Sequence, residues 1–283
     1  FNVIARAGTS FSTEHVDDSF RTNGHLQASG RSGDVDYLVS GTVVRRGNTF
    51  DADGNRRLTD PVGAQGGLDE SDEYNALAKL GYQIDDRQRV EGSFNVFSLK
   101  QDPDFGRRLS TDTDELFVAP FRPETPLRGD SQDRNPGNKT INGNLIYSNQ
   151  DVLGSSLELQ GYYQQIDTIF TLFPGFPQTQ IESEKFGSRL TIDTPVGSDD
   201  SPLDVTWGVD YLRDDTRQFE VVGNEDARGK QNAIAGFAQL EIELGDAGIL
   251  TGGVRYEDVS IDVSGIQPSG EISGTETLFN ASA

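Results

Sequence analysis

Leu203-Asp204-Val205-Thr206-Trp207-Gly208-Val209-Asp210-Tyr211 decides the fold of this chain. Leu203, Val205, Trp207, Val209 and Tyr211 alternate one for one with Asp204, Thr206, Gly208 and Asp210. Successive side chains of a strand point to opposite faces, so this segment needs an apolar medium on one side and water on the other. The same alternation recurs in both directions along the chain. Upstream it runs through Val35, Tyr37, Val39, Gly41 and Val43, then Ala76, Ala78, Leu80, Tyr82 and Ile84, then Val90, Gly92, Phe94 and Val96. It continues through Ile141, Gly143, Leu145 and Tyr147, then Leu157, Leu159, Gly161 and Tyr163. Downstream it resumes at Ile234, Ala238, Leu240, Ile242 and Leu244 and over residues 249–263, which carry Val254 and Tyr256.

The connectors between these segments are short and long in turn. Short ones fall at 32–34, 85–86, 151–154, 195–202 and 245–248; long ones are expected at about 47–72, 101–137 and 219–230, with an aromatic, proline-containing link at 172–178. In an antiparallel meander every second connector lies on the same rim, so one rim carries turns and the other carries loops. The pattern predicts an all-β chain of about 10–12 strands forming part of a large antiparallel transmembrane barrel. A soluble sandwich shows the same period, but its strands average about five or six residues, and these run longer.

Composition narrows the classes further. The chain has 283 residues, 34% of them hydrophobic, with 32 glycines and a net charge of -22. No stretch approaches the roughly 20 consecutive apolar residues of a membrane-spanning helix. A nucleic-acid partner is excluded, because phosphates are repelled by this charge and no Lys/Arg stripe offsets it. Cysteine is absent, so no disulfide or thiolate chemistry is expected. Methionine is absent too; the chain opens on Phe1-Asn2-Val3-Ile4 and stops inside an alternating segment at Leu278-Phe279-Asn280-Ala281-Ser282-Ala283, which reads as an internal fragment of a longer protein. The acids Asp51, Asp53, Asp60, Asp69, Glu70, Asp72 and Glu73, and Asp102, Asp104, Asp112, Asp114 and Glu115, sit in long connectors. They read as solvated loops, with surface cation binding as the alternative.

Enzymatic signatures are missing, and no catalytic residue, metal site or cofactor is expected. Gly223 to Lys230 has phosphate-loop glycines one residue too far apart, with Gln231 where a hydroxyl should hold magnesium. His15 and His25 have no ligand-spaced partner. Asp51-Ala52-Asp53-Gly54-Asn55 places its glycine too early for a calcium loop and reads as a turn. Arg128-Gly129-Asp130 and the sequon Asn138-Lys139-Thr140 are too short to carry a role.

The connector 101–137 is the candidate ligand site. It mixes Phe105, Phe117 and Phe121 with Arg107, Arg108, Arg122, Arg128 and Arg134, and guanidinium groups pair with anionic chelates while rings stack on flat ligand parts; Phe105, Arg107, Arg108, Phe117, Phe121 and Arg122 are the expected contacts, with packing of the loop against its neighbours as the alternative. A loop this long inside an ordered protein usually has a function. Leu203, Val205, Trp207, Val209, Tyr211, Val254 and Tyr256 form the expected lipid-facing set. Asp204, Asp210, Glu241, Glu243, Arg255 and Glu257 form the expected inner wall.

Several segments carry a resemblance to a known family. Tyr37-Leu38-Val39-Ser40-Gly41 followed by Phe50-Asp51-Ala52-Asp53-Gly54, the Leu80-Gly81-Tyr82 strand, Phe237-Ala238-Gln239-Leu240-Glu241 and above all Leu250-Thr251-Gly252-Gly253-Val254-Arg255-Tyr256-Glu257 resemble the barrel of TonB-dependent outer-membrane receptors of the ferric-siderophore type. The resemblance implies a 22-stranded barrel. This chain would be roughly its first half, without plug domain or closing strand. It further implies a ferric siderophore as ligand, outer-membrane lipid around the wall and TonB engaged through the plug. A passive porin and a soluble carbohydrate-binding sandwich or adhesin domain remain open at this point.

Overall fold

The computed structural model describes residues 1–56, 69–102, 105–106, 125–126, 134–170, 177–197, 203–221, 225–244, 248–265 and 270–282. The strands are β1 (Asn2–Ser10), β2 (Arg21–Ser32), β3 (Val35–Arg46), β4 (Ser71–Gln83), β5 (Gln88–Gln101), β6 (Phe105–Gly106) and β7 (Thr125–Pro126). They continue with β8 (Gly137–Val152), β9 (Ser155–Ile169), β10 (Thr179–Pro195), β11 (Leu203–Glu220), β12 (Glu225–Glu243), β13 (Ile249–Ser264) and β14 (Gly270–Ser282). Twelve of them form one sheet in the order β1-β2-β3-β4-β5-β8-β9-β10-β11-β12-β13-β14, and β6 and β7 pair separately. Every neighbouring pair is antiparallel, so the sheet is a continuous meander of the length the alternation predicts.

Two adjacent register rows show why the sheet has two chemically distinct faces. One row runs Val35, Tyr82, Val90, Tyr147, Leu159, Leu190, Val209, Gly236 and Tyr256 from β3 to β13. The next runs Asp36, Gly81, Glu91, Ile146, Gln160, Arg189, Asp210, Ala235 and Glu257. Because side chains alternate, the first row lies on one face and the second on the other. A one-residue slip at any pair would put Asp210 or Arg189 among the apolar side chains, and a basic group there costs about 2–4 kcal/mol at mid-membrane depth.

Among the described residues no second layer covers the apolar face. Among the described residues the buried hydrophobic side chains are Leu99, Ala233 and Ala235, while Trp207 is 44% exposed, Val209 49% and Tyr256 54%. Tyr211 and Val254 are exposed as well, and Leu203 and Val205 are half-buried. A sandwich would bury these side chains against a second sheet, and that alternative is therefore rejected.

The link after β1 contains a single helical turn, α1 (Val16–Ser19). One expected connector needs correction. The long connector expected over 219–230 shrinks to 221–224, because β11 and β12 run on as a paired ribbon, Asp215 opposite Lys230 and Arg217 opposite Arg228. These strand ends are polar on both faces, so the alternation that marks a strand at a lipid boundary vanishes although the ladder persists. Lys230 thus lies within a strand, which removes the phosphate-loop pattern. The turn at 153–154 is tight, with Leu153 at φ 57° and Gly154 at φ 83°, a pair of left-handed residues that matches the twist of a hairpin.

Candidate functional site

The rim carrying the long connectors is built on buried polar side chains. Asp69, 6% exposed, accepts hydrogen bonds from Arg21 Nη2 at 2.6 Å, Thr49 N at 3.1 Å and Thr49 Oγ1 at 2.8 Å. Gln101, fully buried, donates from Nε2 to the Asp69 carbonyl at 3.0 Å, and its own N–H donates to Pro136 O at 2.9 Å. Asp102 N donates to Glu70 O at 2.9 Å. A buried carboxylate is tolerated only when its acceptor sites are filled, and Arg21 and Thr49 fill them here; the Asp69 and Glu70 carbonyls and the Gln101 N–H in turn tie the root of the 47–70 connector to both roots of the 102–136 connector. The second root is held again by Gln178, whose Nε2 donates to the carbonyls of Arg134 at 2.7 Å and Phe170 at 2.9 Å, while its Oε1 accepts from Arg134 N at 3.1 Å. Asp69, Gln101 and Gln178 escaped the sequence reading, which treated them as ordinary loop residues; only their position at strand ends hinted at a role.

Of the expected ligand-binding residues, Phe105 contributes backbone to the β6–β7 ladder, opposite Pro126. Its side chain and Arg107, Arg108, Phe117, Phe121 and Arg122 lie outside the described residues.

The inner wall gathers three of its predicted members into one network. Arg189 donates from Nε and Nη2 to Asp210 at 2.6 and 3.1 Å, and Arg255 donates from Nη1 to the same carboxylate at 2.5 Å. Arg255 Nε also lies 3.4 Å from Glu257. Asp210 and Arg255 stand on β11 and β13, with β12 between them; the residue beneath the bridge is Ala235, short enough to be crossed. With Gln160, Tyr162 and Ser188 these groups line a recess of 250 Å³. Tyr162 reaches over Gly187, where a Cβ would stand 2.2 Å from its ring. Beside it an uncharged strip pairs Gln160 with Asn144 at 2.9 Å and Gln164 with Asn142 at 3.0 Å. The wall is wet and hydrogen-bonding, and its strongest charges neutralise one another. Asp204 and Glu241 face each other in register on the same side. The side chain of Glu243 lies outside the described residues.

The weaker motifs resolve into local structure. Asp51 Oδ1 accepts from the N–H groups of Asp53 at 3.0 Å and Asn55 at 2.8 Å, a turn satisfied by its own backbone. His15 stacks on Phe50 with centroids 4.1 Å apart and bonds Gly54 O at 3.0 Å; His25 bonds Thr42 Oγ1 at 2.9 Å. No cluster of His, Cys, Asp or Glu suited to a metal occurs among the described residues. At the short-turn rim, Asp85 accepts the backbone N–H of Arg87 at 2.8 Å and of Gln88 at 2.9 Å, and the Arg87 bond above all holds its carboxyl below the ordinary range.

A family model described as TonB dependent receptor-like, beta-barrel matches residues 17–283. The rhizobactin receptor of Rhizobium meliloti (strain 1021) is 27% identical over 311 residues, covering 89% of this chain and 41% of that protein. The ferric citrate transporter FecA in its unliganded form superposes with a TM-score of 0.66 at 12% identity, over 98% of this chain and 40% of FecA. The siderophore receptor PiuA from Acinetobacter baumannii superposes with a TM-score of 0.64 at 10% identity, over 98% of this chain and 45% of PiuA. The chain thus spans less than half the length of each. A wall with one bare apolar face, one hydrogen-bonding face and loops gathered on a single rim agrees with these matches: the chain belongs to the TonB-dependent receptor β-barrel family of the Gram-negative outer membrane.

Proposed function

We propose that the parent protein imports a ferric siderophore across the outer membrane, energised through TonB, and that this chain supplies about half of its barrel wall while the plug and the TonB-contacting segment lie elsewhere in the protein. The observation that carries this reading is the 27% identity to the rhizobactin receptor, extending over 89% of the chain. It is supported by the rigid base beneath the 102–136 connector, on which Phe105, Arg107, Arg108, Phe117, Phe121 and Arg122 would meet an anionic iron chelate. In the same reading Leu203, Val205, Trp207, Val209, Tyr211, Val254 and Tyr256 face lipid.

The test is uptake of radiolabelled ferric chelates by iron-starved cells carrying the intact gene. Uptake should saturate, cease when the proton gradient is collapsed, and fall sharply when residues 103–133 are deleted. Uptake indifferent to the gradient would instead mark a passive porin. Uptake that survives the deletion would remove the loop residues from the ligand site.

A further inference from the structure

On the outward face, where β5, β8 and β9 reach the loop-bearing rim, a recess of 460 Å³ is lined by Ser98, Lys100, Arg134, Lys139, Asp167 and their neighbours. Register places Ser98 opposite Lys139 and Lys139 opposite Asp167, and Lys100 opposite Gly137 and Gly137 opposite Ile169. Phe94, Val96, Ser98 and Lys100 share one face of β5, so the two polar residues continue the line of the apolar ones. Lys139 likewise follows Leu145 and Ile141 on β8. Lys139 therefore stands about 7 Å beyond Ile141, and Lys100 about 13 Å beyond Val96, the level at which hydrocarbon gives way to headgroups.

The charge of this recess runs against that of the protein. The chain as a whole carries -22, yet here Lys100, Arg134 and Lys139 outnumber the one lining carboxylate, Asp167. That carboxylate is already engaged, accepting from Gln180 Nε2 at 2.8 Å. Asp72, opposite Lys100 in register, lies 3.9 Å from Arg45, and among the described residues no ion pair involves Lys100, Arg134 or Lys139, all of which are exposed. Arg134 is held in place by its Nη1 bond to Gln180 Oε1 at 2.8 Å and by its backbone bond to Gln178. A fixed guanidinium flanked by two ammonium groups, open on the lipid side, suits a phosphate.

Outer-membrane barrels carry their longer loops on the extracellular side, so this rim meets the outer leaflet, and we propose that the recess binds a phosphate group of an outer-leaflet glycolipid. A free phosphate offers the same oxygens, but the recess stands on the membrane side of the wall and continues the apolar band, so the occupant is anchored by its acyl chains as well as by charge. The assignment presupposes that the outward face meets lipid; it does not depend on the imported ligand.

The experiment uses the full receptor in detergent, with retained lipid counted by native mass spectrometry. The probes are diphosphorylated lipid A, dephosphorylated lipid A and inorganic phosphate. Heat-modifiable mobility on gels shows that the Lys100→Gln/Arg134→Gln/Lys139→Gln variant has folded. The wild type should retain diphosphorylated lipid A on the order of a hundredfold more tightly than the variant, at about fivefold per cation, with no difference between them for the dephosphorylated lipid. Equal retention by the folded variant overturns the site. Saturable binding of inorganic phosphate with no advantage for lipid A overturns the lipid as its source. Because no iron chelate enters the assay, these outcomes are independent of the uptake test.

Discussion

Arg89 of β5 reaches across the whole of β4 to Asp36 of β3, donating from Nη1 and Nη2 to the two carboxylate oxygens at 2.8 and 3.0 Å. The bridge is possible because Gly81, the β4 residue opposite Asp36, leaves room for a guanidinium that comes in diagonally from Arg89, two residues along and opposite Gln83. A Cβ at that position would stand 2.1 Å from Arg89 Nη2 and 2.7 Å from both Asp36 oxygens. The wall repeats the device six strands along, where Arg255 crosses over Ala235 to Asp210. In both places a small residue lets an ion pair tie strands that share no backbone hydrogen bond.

Gly81→Ala should therefore separate Arg89 from Asp36 without moving the backbone, since the clashing atoms are the free ends of flexible side chains. The folded full receptor should show a lower thermal midpoint in detergent. In an Arg89→Gln background the same substitution should have no further effect, because the pair is already absent. Additive losses in the double variant would refute the bridging role.

Asp210→Asn leaves Arg189 and Arg255 facing each other with no shared counter-charge. The cost should be about 1–2 kcal/mol, below that of a fully buried pair because water reaches the inner wall. Denaturant unfolding of the folded barrel measures it, and a loss under a few tenths of a kcal/mol would show that the pair is screened.

Alternation makes the sharpest prediction about environment. Nitroxide labels on Val209→Cys and Asp210→Cys should differ in kind: oxygen, which partitions into lipid, relaxes the first, and a water-soluble nickel chelate relaxes the second. Similar accessibility at both positions would remove the lipid boundary from β11.

Asp85 supplies a pH dependence. Its carboxyl lies below the ordinary value of about 3.9 because the backbone N–H of Arg87 and then Gln88 stabilise the charged form. Its contribution to stability is thus fully present above the unfolded value and is lost as pH falls through the lower folded value. Unfolding midpoints measured between about pH 5 and pH 2 should fall less steeply in Asp85→Asn than in the wild type.

Leu153 holds φ at 57° in the β8–β9 turn with its side chain wholly exposed. A left-handed conformation costs an ordinary residue about 1–2 kcal/mol, and asparagine less. Leu153→Asn should therefore raise stability by about 1 kcal/mol, read from the same denaturant curves; a neutral or negative change would show that the leucine is held by something other than the turn.

The strands were legible wherever two media meet. Leu203 to Tyr211 announces its faces because one side must be apolar and the other wet, and the same logic located seven further strands of the sheet and put Asp210, Arg255 and Glu257 on the inner side. Residues 225–232 hid their strand because water lies on both sides of it, so nothing in Glu225-Asp226-Ala227-Arg228-Gly229-Lys230 selects a face. The loop-rim anchors Asp69, Gln101 and Gln178 were hidden for a related reason: a buried polar side chain is indistinguishable from a solvated one until its partners are known.

What the sequence determined by itself is the two-faced meander and its rims, since these follow from a period of two residues and from the order of connectors; the family entered through the resemblance carried by segments such as Leu250 to Glu257. Only the tertiary structure decided which charges meet. Arg89 with Asp36 and Arg255 with Asp210 each come from strands that are not neighbours, and their pairing depends on register and on a glycine or alanine between them. The same is true of Lys100, Arg134 and Lys139, scattered in the chain and gathered by β5, β8 and the connector root. Periodicity is a local property of a strand, whereas a site is a coincidence of registers across several strands, and registers are set only when all the ladders form together.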